Sequence, residues 1–384
     1  MKLPEFKAKD LFEQYDIPTM NGVVIDSLEG IDKEISDGGL SYPVVIKAQV
    51  QVGGRGKAGG IQFANNAAEA KAICEKLLFS DLKGFKVNQL LIVEKASPVQ
   101  EWYLSIMLDR LTKMPLIIFS AAGGMEIEEV AKTAPEKIVK ININPFYGLQ
   151  DYTIQYLIDK SGIDAMYAPQ LKVIIQKLYD ASRDYSCLLA EINPLVLDLN
   201  GQIIALDGKV DIDDDALYRL PDMLEFRETL PEESLVREAR SFKFLYIPIE
   251  QGGNIAVMSN GSGMVMSCID LITKAGMTVG AALDLGGGAT ADRIKEAVRI
   301  VLSNTDIDTL FISIFGGITR CDEVAGGIKL ALEAQTAEKT VVVRMEGTNK
   351  QQGLDIIAQV RGNIHSVGSI PEGVAALRER MVRK

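Results

Sequence analysis

Two rhythms of hydrophobic and polar positions divide this sequence. In the first half the apolar segments are short and unevenly spaced. Residues 5–16 carry apolar side chains at helical intervals and stop ahead of Ile17-Pro18, which predicts a short amphipathic helix. Val44-Val45-Ile46-Lys47-Ala48-Gln49-Val50 reads as one of two half-buried strands around a glycine-rich loop. A helix near 66–79, a continuously apolar strand at 89–94 and a strand pair at 102–109 and 115–120 follow. The pair leads into Gly123-Gly124-Met125-Glu126, and a helix over 168–184 precedes strands at 188–197 and 202–207. Strands interrupted by helix at irregular intervals predict an α+β unit rather than a doubly wound sheet.

The second half is regular. From Asn254 the pattern runs strand 254–259, helix 263–275, strand 278–285, helix 290–303, strand 308–314 and helix 320–334. It continues with strand 340–345, helix 350–359, a short strand at 363–366 and a final helix. Five such βα units predict an α/β parallel sheet with helices on both faces. Pro221, Pro231 and the charged stretch Glu225 to Arg240 predict a connector over 215–243, so the expected domains are 1–243 and 244–384. Small-residue loops close four of the C-terminal strands: Asn260-Gly261-Ser262-Gly263, Gly286–Thr290, Gly316-Gly317-Ile318-Thr319 and Glu346–Asn349. Glycines there serve tight turns, but four in succession ahead of helix N-termini favour an anion crevice.

Composition narrows the partners. With 41 basic and 52 acidic side chains the net charge is −11, which disfavours nucleic acid and anionic membranes as whole-molecule partners. Any anion must therefore meet a local cationic site. The four cysteines, Cys74, Cys187, Cys268 and Cys321, lack metal-ligand spacing and read as free thiols in a reducing compartment. The opening residues hold no apolar signal core and no apolar run is long enough to span a bilayer, so a cytoplasmic location is expected.

The local cationic site is Gly53-Gly54-Arg55-Gly56-Lys57-Ala58-Gly59-Gly60, following the strand that carries Lys47. Glycines let backbone N–H groups approach an anion, and lysine and arginine neutralise it. Lys57 is followed by Ala58 rather than Ser or Thr, so this is not a Walker A loop. Downstream, the turn Asp198-Leu199-Asn200-Gly201 brings Asn193, in Glu191-Ile192-Asn193-Pro194, beside Asp207. One amide oxygen and one carboxylate, completed by phosphate oxygens and water, suit Mg²⁺, although turn-capping polar residues explain the same pattern when taken alone. Glu94 and Glu101 could accept from a base or ribose or be solvated strand ends. Asp211–Asp215 reads as a solvated acidic loop, and His365 has no acidic or nucleophilic partner nearby in sequence.

Taken in order, these motifs resemble the β-subunit family of the ADP/GDP-forming acyl-CoA ligases, nearest to the succinate–CoA ligases. The resemblance spans essentially the whole chain, from the opening helix through Gly53–Gly60, Glu191–Val196, Leu206–Lys209 and Asp215–Arg219 to Leu283–Thr290 and Phe315–Asp322. It implies an N-terminal ATP-grasp module followed by a flavodoxin-like, doubly wound parallel-sheet domain. By the resemblance, Lys47 and Gly54-Arg55-Gly56 hold the phosphates of ATP (or GTP), and Glu94 and Glu101 the base and ribose. Asn193 and Asp207 hold Mg²⁺, and Glu191 faces a phosphohistidine carried by a partner α subunit, in an αβ or α₂β₂ assembly. Asn260 and Gly317-Ile318-Thr319 contact a dicarboxylic acid, and a helix opening at Gly317, with Arg320 in its first turn, points at the phosphohistidine.

The family chemistry passes phosphate from nucleotide to histidine to the acid, and CoA, bound mainly by the α subunit, then displaces it as the thioester. With His365 outside any matching motif, this chain is expected to make little acyl-CoA alone. Three departures stand out: Gln51 where relatives have histidine, Thr319 where succinate enzymes carry an apolar residue, and Ser262. Thr319 keeps a malate-type CoA ligase open as an alternative. A non-catalytic paralogue and a stand-alone ATP-grasp carboxylate–amine ligase are the other readings.

Overall fold

Short strands with one apolar face cannot stay single, and the N-terminal half solves this by antiparallel pairing. The computed structural model describes residues 1–50, 54–334 and 339–382, and the chain divides into two compact units, Met1–Thr229 and Leu230–Lys384. In chain order the first unit contains α1 (Glu5–Gln14), β1 (Gly22–Ile25), α2 (Ile31–Asp37), β2 (Val44–Ala48), β3 (Ile61–Ala64) and α3 (Ala67–Leu77). A small hairpin, β4 (Asp81–Leu82) and β5 (Phe85–Lys86), precedes β6 (Leu90–Glu94), β7 (Pro98–Asp109) and β8 (Met114–Ser120). Then come α4 (Ile127–Thr133), β9 (Ile138–Asn142), α5 (Asp151–Ser161), α6 (Ala168–Asp184), β10 (Cys187–Asp198), β11 (Ile203–Ala205), β12 (Gly208–Ile212) and α7 (Pro221–Thr229).

Two antiparallel sheets result. One has the order β1-β6-β2-β3, the other β11-β10-β7-β8-β9 with β12 also on β10. Central strand β2 is buried at every position. Its alternate residues Val44, Ile46 and Ala48 join the core formed with α2 and α3. Val45 faces the opposite way, with Leu91, Val93 and Phe6 of α1. Period-two alternation puts Lys47 on that same face, toward α1. The larger core lies on the second sheet, where α6 buries Leu171, Ile174, Ile175 and Leu178 at helical spacing.

The second unit contains α8 (Ser234–Ser241), β13 (Leu245–Pro248), β14 (Ile255–Ser259), α9 (Ser262–Lys274), β15 (Val279–Asp284), α10 (Ala291–Ser303) and β16 (Thr309–Gly316). It ends with α11 (Cys321–Glu333), β17 (Thr340–Gly347), α12 (Lys350–Ile357), β18 (Ile364–Val367) and α13 (Ile370–Val382). The sheet order is β13-β15-β14-β16-β17-β18. Only β13 is antiparallel to its neighbour; the other pairs are parallel. Without β13 this is the doubly wound, flavodoxin-like order, whose chain direction reverses between β14 and β16. One face packs Ala256, Met258, Ala281 and Leu283 against α10 and α11, and the other packs Val257, Val279 and Ala282 against α9 and α13.

The division falls after Thr229 rather than after residue 243. Residues 234–241 are no loose connector: α8 packs on β13 and α10, and Arg299 of α10 pairs with Glu238. Among the described residues no helix is long and apolar enough to cross a membrane. All four cysteines are free thiols.

Candidate functional site

The glycine-rich loop is folded back on one carbonyl. Ala58 and Gly60 both donate to Arg55 O, at 3.1 and 2.9 Å, and Gly60 O accepts from Ala48 N at 2.8 Å. The loop therefore extends the β2–β3 pairing instead of standing off as a mobile hairpin. Gly54 has φ 71°, a left-handed conformation natural to glycine. Gln51 and Gly53 lie outside the described residues.

Lys47 and Arg55 converge on one carboxylate that the motif reading did not single out. Lys47 Nζ donates to Glu5 Oε1 at 2.6 Å and to Leu206 O at 3.0 Å. An Arg55 amino nitrogen lies 2.6 Å from Glu5 Oε2 and 3.3 Å from Asp207 Oδ1. Glu5 is 5 % exposed. Burial works against its charge, but Lys47 and Arg55 outweigh that and hold it below the usual carboxylate range. Asp207 goes the other way. Burial, with Glu5 adding repulsion, pushes its carboxyl up to about 6 against the pull of Lys47 and Arg55.

Strand β10 supplies the opposite wall. Its edge partner changes from β12 to β11 as the register shifts between Ile192 and Leu195, and Asn193 sits at that break. Its backbone N–H donates to Asp207 O at 3.1 Å, so the expected juxtaposition of the two residues holds. Asn193 Oδ1 accepts from Gly124 N and its Nδ2 donates to Met125 O, both at 3.0 Å. The Glu101 carboxylate lies where a side chain at Gly124 would be, an added Cβ coming 2.0 Å from its Oε2. Glu191 Oε2 accepts from the Tyr103 hydroxyl at 2.7 Å. Burial pushes the Glu191 carboxyl up, against the pull of Tyr103 and of Lys209 on β12.

A cavity of about 500 Å³ opens among Gly54, Arg55, Gly56, Glu191, Asn193 and Asp207, with Glu5, Lys57 and Lys209 also on its walls. Lys47, Glu94 and Glu101 do not line it. Glu94, at the end of β6, accepts from Ser41 N at 3.2 Å. Among the described residues no cluster of three or more metal-ligating side chains exists. Asn193 and Asp207 share the wall of this cavity, and an amide oxygen with a half-buried carboxylate are donor types that Mg²⁺ takes when phosphates and water complete its shell. Sequence reasoning missed Glu5, Tyr103 and Lys209. A signal for Glu5 existed, since it shares the buried face of α1 with Ala8, Leu11 and Phe12.

In the second unit, the chain reversal gathers Asn260 and the Gly317–Thr319 loop. Asn260 Nδ2 donates to Phe315 O at 2.9 Å and Oδ1 accepts from Phe315 N at 3.0 Å. Thr319 is 2 % exposed, and its hydroxyl accepts from Gly288 N at 3.0 Å, joining two glycine loops. Gly317 borders open space, and Ile318 is 87 % exposed. One expectation is corrected: α11 opens at Cys321 rather than at Gly317, with Arg320 at its N-cap position. The Thr319–Gly288 bond and Cys321 N donating to Thr348 O at 3.0 Å keep Gly317–Arg320 as a loop. The Arg320 guanidinium forks onto Asp322, at 3.1 and 2.5 Å.

Asp211 and Asp214 flank the Met1 amino group at 3.2 and 2.7 Å, and Asp214 also pairs with Arg227, while Asp214 and Asp215 remain exposed as expected of a solvated acidic segment. His365, on β18, lies 2.8 Å from Asn363 Oδ1.

Known proteins match this arrangement along its length. Residues 2–197 match the ATP-grasp domain family and residues 258–372 the CoA-ligase family. A succinate–CoA ligase (ADP-forming) β subunit of Desulfatibacillum aliphaticivorans is 40 % identical over 390 residues, 99 % of either chain. One of Hydrogenovibrio crunogenus is 39 % identical over 389 residues, covering 100 % of this chain and 98 % of its own. Among solved structures, an ATP citrate lyase of Methanothrix soehngenii in complex with citrate and coenzyme A shares the fold, with a TM-score of 0.77 at 19 % identity over 96 % of both chains. An ATP-grasp domain, a CoA-ligase domain behind it and end-to-end relatives near 40 % identity place this chain in the succinate–CoA ligase (ADP-forming) β-subunit family, the ATP-dependent ligases of carboxylic acids to CoA.

Proposed function

We propose that the chain binds Mg²⁺–ATP in the cavity of its first unit and a dicarboxylic acid, succinate foremost, at the β14–β16 edge of its second. A histidine of a partner α subunit takes the terminal phosphoryl group of ATP and ADP departs. The acid carboxylate then takes phosphate from that histidine, and the CoA thiol displaces inorganic phosphate to give the thioester. The observation that carries this reading is one cavity presenting a cation, glycines, the carboxylates of Asp207 and Glu191 and an amide side chain together.

Each residue has a task in that scheme. Arg55 and the N–H groups at Gly54 and Gly56 orient phosphate oxygens. Asn193 and Asp207 would hold Mg²⁺, which supplies charge neutralisation to the phosphates when bound. Glu191, fixed by Tyr103, accepts from the partner's histidine and keeps its ring oriented. Glu101, whose carboxylate packs against Gly124 of the cavity wall, would meet ribose and Glu94 the base, though neither lines the cavity. At the second site, Asn260 holds the loop after β16 in place and the Gly317–Ile318 tip meets the acid. Arg320, held in its fork on Asp322, would meet the phosphohistidine.

The commitment of Thr319 to Gly288 N favours succinate over a hydroxylated acid, because the threonine oxygen already serves as a loop fastener. The test is to co-express the chain with its α-subunit candidate and measure Mg–ATP- and CoA-dependent thioester formation with succinate, malate and itaconate. Succinate is expected to lead by about tenfold or more, with no turnover by the single chain. Preference for malate, or robust activity without the α subunit, would overturn the reading.

A further inference from the structure

The two cations assigned to nucleotide phosphate are already occupied. Glu5 spans them, one carboxylate oxygen 2.6 Å from Lys47 Nζ and the other 2.6 Å from Arg55. It also lies on the cavity wall, whereas Lys47 does not. An anion entering the cavity meets the carboxylate before it can reach the lysine. A phosphate and a carboxylate cannot both sit on one buried cation pair without strong repulsion.

We propose that Glu5 is the resident counter-anion of the phosphate site, holding the place of a nucleotide phosphate on Lys47 and Arg55 and leaving it as nucleotide enters. The inference rests on the nucleotide-site reading above. Without Glu5, two buried cations would face Asp207 alone, a costly arrangement in an empty site. With it, the site is charge-balanced when empty and becomes charge-balanced again when phosphate takes over.

The exchange needs only a side-chain rotation. The backbone around Glu5 is anchored independently, with Leu3 N donating to Val210 O at 2.9 Å and Phe6 N to Gln49 Oε1 at 3.0 Å. A destination exists as well. A second cavity, of about 20 Å³, is lined by both Glu5 and Lys9. Lys9 stands one turn along the same helix, the spacing at which a glutamate reaches a following lysine. Lys9 now pairs with Glu13 and would bridge the two carboxylates after the switch.

The experiment uses the full chain in complex with its α subunit, titrated with tripolyphosphate and with Mg–ADP by calorimetry and thermal denaturation. Glu5→Gln should melt below wild type in the absence of anion. It should bind tripolyphosphate about tenfold tighter, and its melting deficit should close at saturation, because the added anion restores what the variant lost. Glu5→Asp, which keeps the charge but shortens its reach, should fall between, and it decides the matter if Glu5→Gln does not fold. Lys9→Met should weaken binding in wild type but not in the Glu5→Gln background, a coupling that a fixed strut would not show.

Normal wild-type binding with equal or weaker tripolyphosphate affinity in both Glu5 variants would overturn the inference alone. So would a melting deficit that saturating anion leaves unchanged. Absence of binding in wild type and variants alike would remove the nucleotide-site reading and this inference with it.

Discussion

The hydroxyl of Tyr103 donates to Glu191 Oε2 at 2.7 Å from the neighbouring strand. Tyr103 is itself buried, while Glu191 is half-buried on the cavity wall, so the bond ties that wall to the interior of the sheet. The bond joins β7 to β10 at the residue proposed to meet the partner's histidine. Burial raises the Glu191 carboxyl and Tyr103 opposes that rise. Tyr103→Phe should therefore push Glu191 further up and move the acid limb of the pH–rate profile of the complex to higher pH. It should also cost about 1 kcal/mol of stability through the lost bond. An unchanged profile would show that Tyr103 does not act through Glu191.

Asp207 gives a pH dependence of opposite practical sense. Its carboxyl rises from 3.8 to about 6 in the folded chain. A raised carboxyl means the folded state favours the proton, so the contribution of Asp207 to stability is complete below 3.8 and is lost as pH climbs through 6. Cation binding runs the other way and should strengthen as pH climbs through about 6, levelling once Asp207 is fully ionised. Asp207→Asn should raise the melting temperature of the ligand-free protein at pH 8 and lose that advantage at pH 5, while abolishing Mg²⁺-dependent nucleotide binding. Melting curves with and without Mg–ADP at the two pH values check both halves.

What the sequence showed, and what it hid, follows from the range of the interactions. The βα units were legible because the strands from β14 to β17 are mostly apolar runs with glycine at or just past their ends, a pattern local to about thirty residues. The β14–β16 reversal could not be read locally, since strand order depends on which neighbours pair. Asn193 beside Asp207 was legible because a short turn joins their strands. Glu5 was not, because its partners lie 42 and 50 positions away, and a charged residue on an apolar helix face reveals its purpose only when its counter-charges are seen. Strand β13 escaped because only Tyr246 of its four residues is buried. The periodicity places the start of α11 at 320, one residue from Cys321, and only the family resemblance draws it forward to Gly317. Tertiary bonds from Thr319 and Cys321 decide for the loop.

The cysteines should be silent in the folded chain. Burial pushes the Cys74 thiol up to about 11 and the Cys187 thiol up to about 12, and Cys268 and Cys321 are raised by the same cause. The thiolate is the reacting form, so its scarcity protects all four, and burial also denies access at Cys74, Cys268 and Cys321. Iodoacetamide at pH 7.5 should label the native protein at none of the four positions within a time that labels all four in denaturant. Rapid native labelling at Cys321, beside the Gly317–Thr319 loop, would show that this loop opens far more often than its bonds suggest.

Thr319 joins two glycine loops at the proposed acid site, its hydroxyl accepting from Gly288 N. If its hydroxyl is a fastener between glycine loops, removing it strands the Gly288 N–H beside an apolar group. Thr319→Val keeps the shape and deletes only the acceptor, leaving a buried donor unpaired at about 1–3 kcal/mol. The melting temperature should fall by a few degrees. The kcat/KM values for succinate and malate should drop by the same factor, because the damage is to the loop that meets either acid. A hydroxyl used for recognition behaves differently, since a buried polar group lost from a binding site penalises only the ligand that bonded to it. The ratio of the two kcat/KM values, measured for wild type and variant in the assembled complex, therefore separates the roles. A constant ratio makes Thr319 a support for the loop, and a ratio shifted toward succinate makes it a reader of the acid.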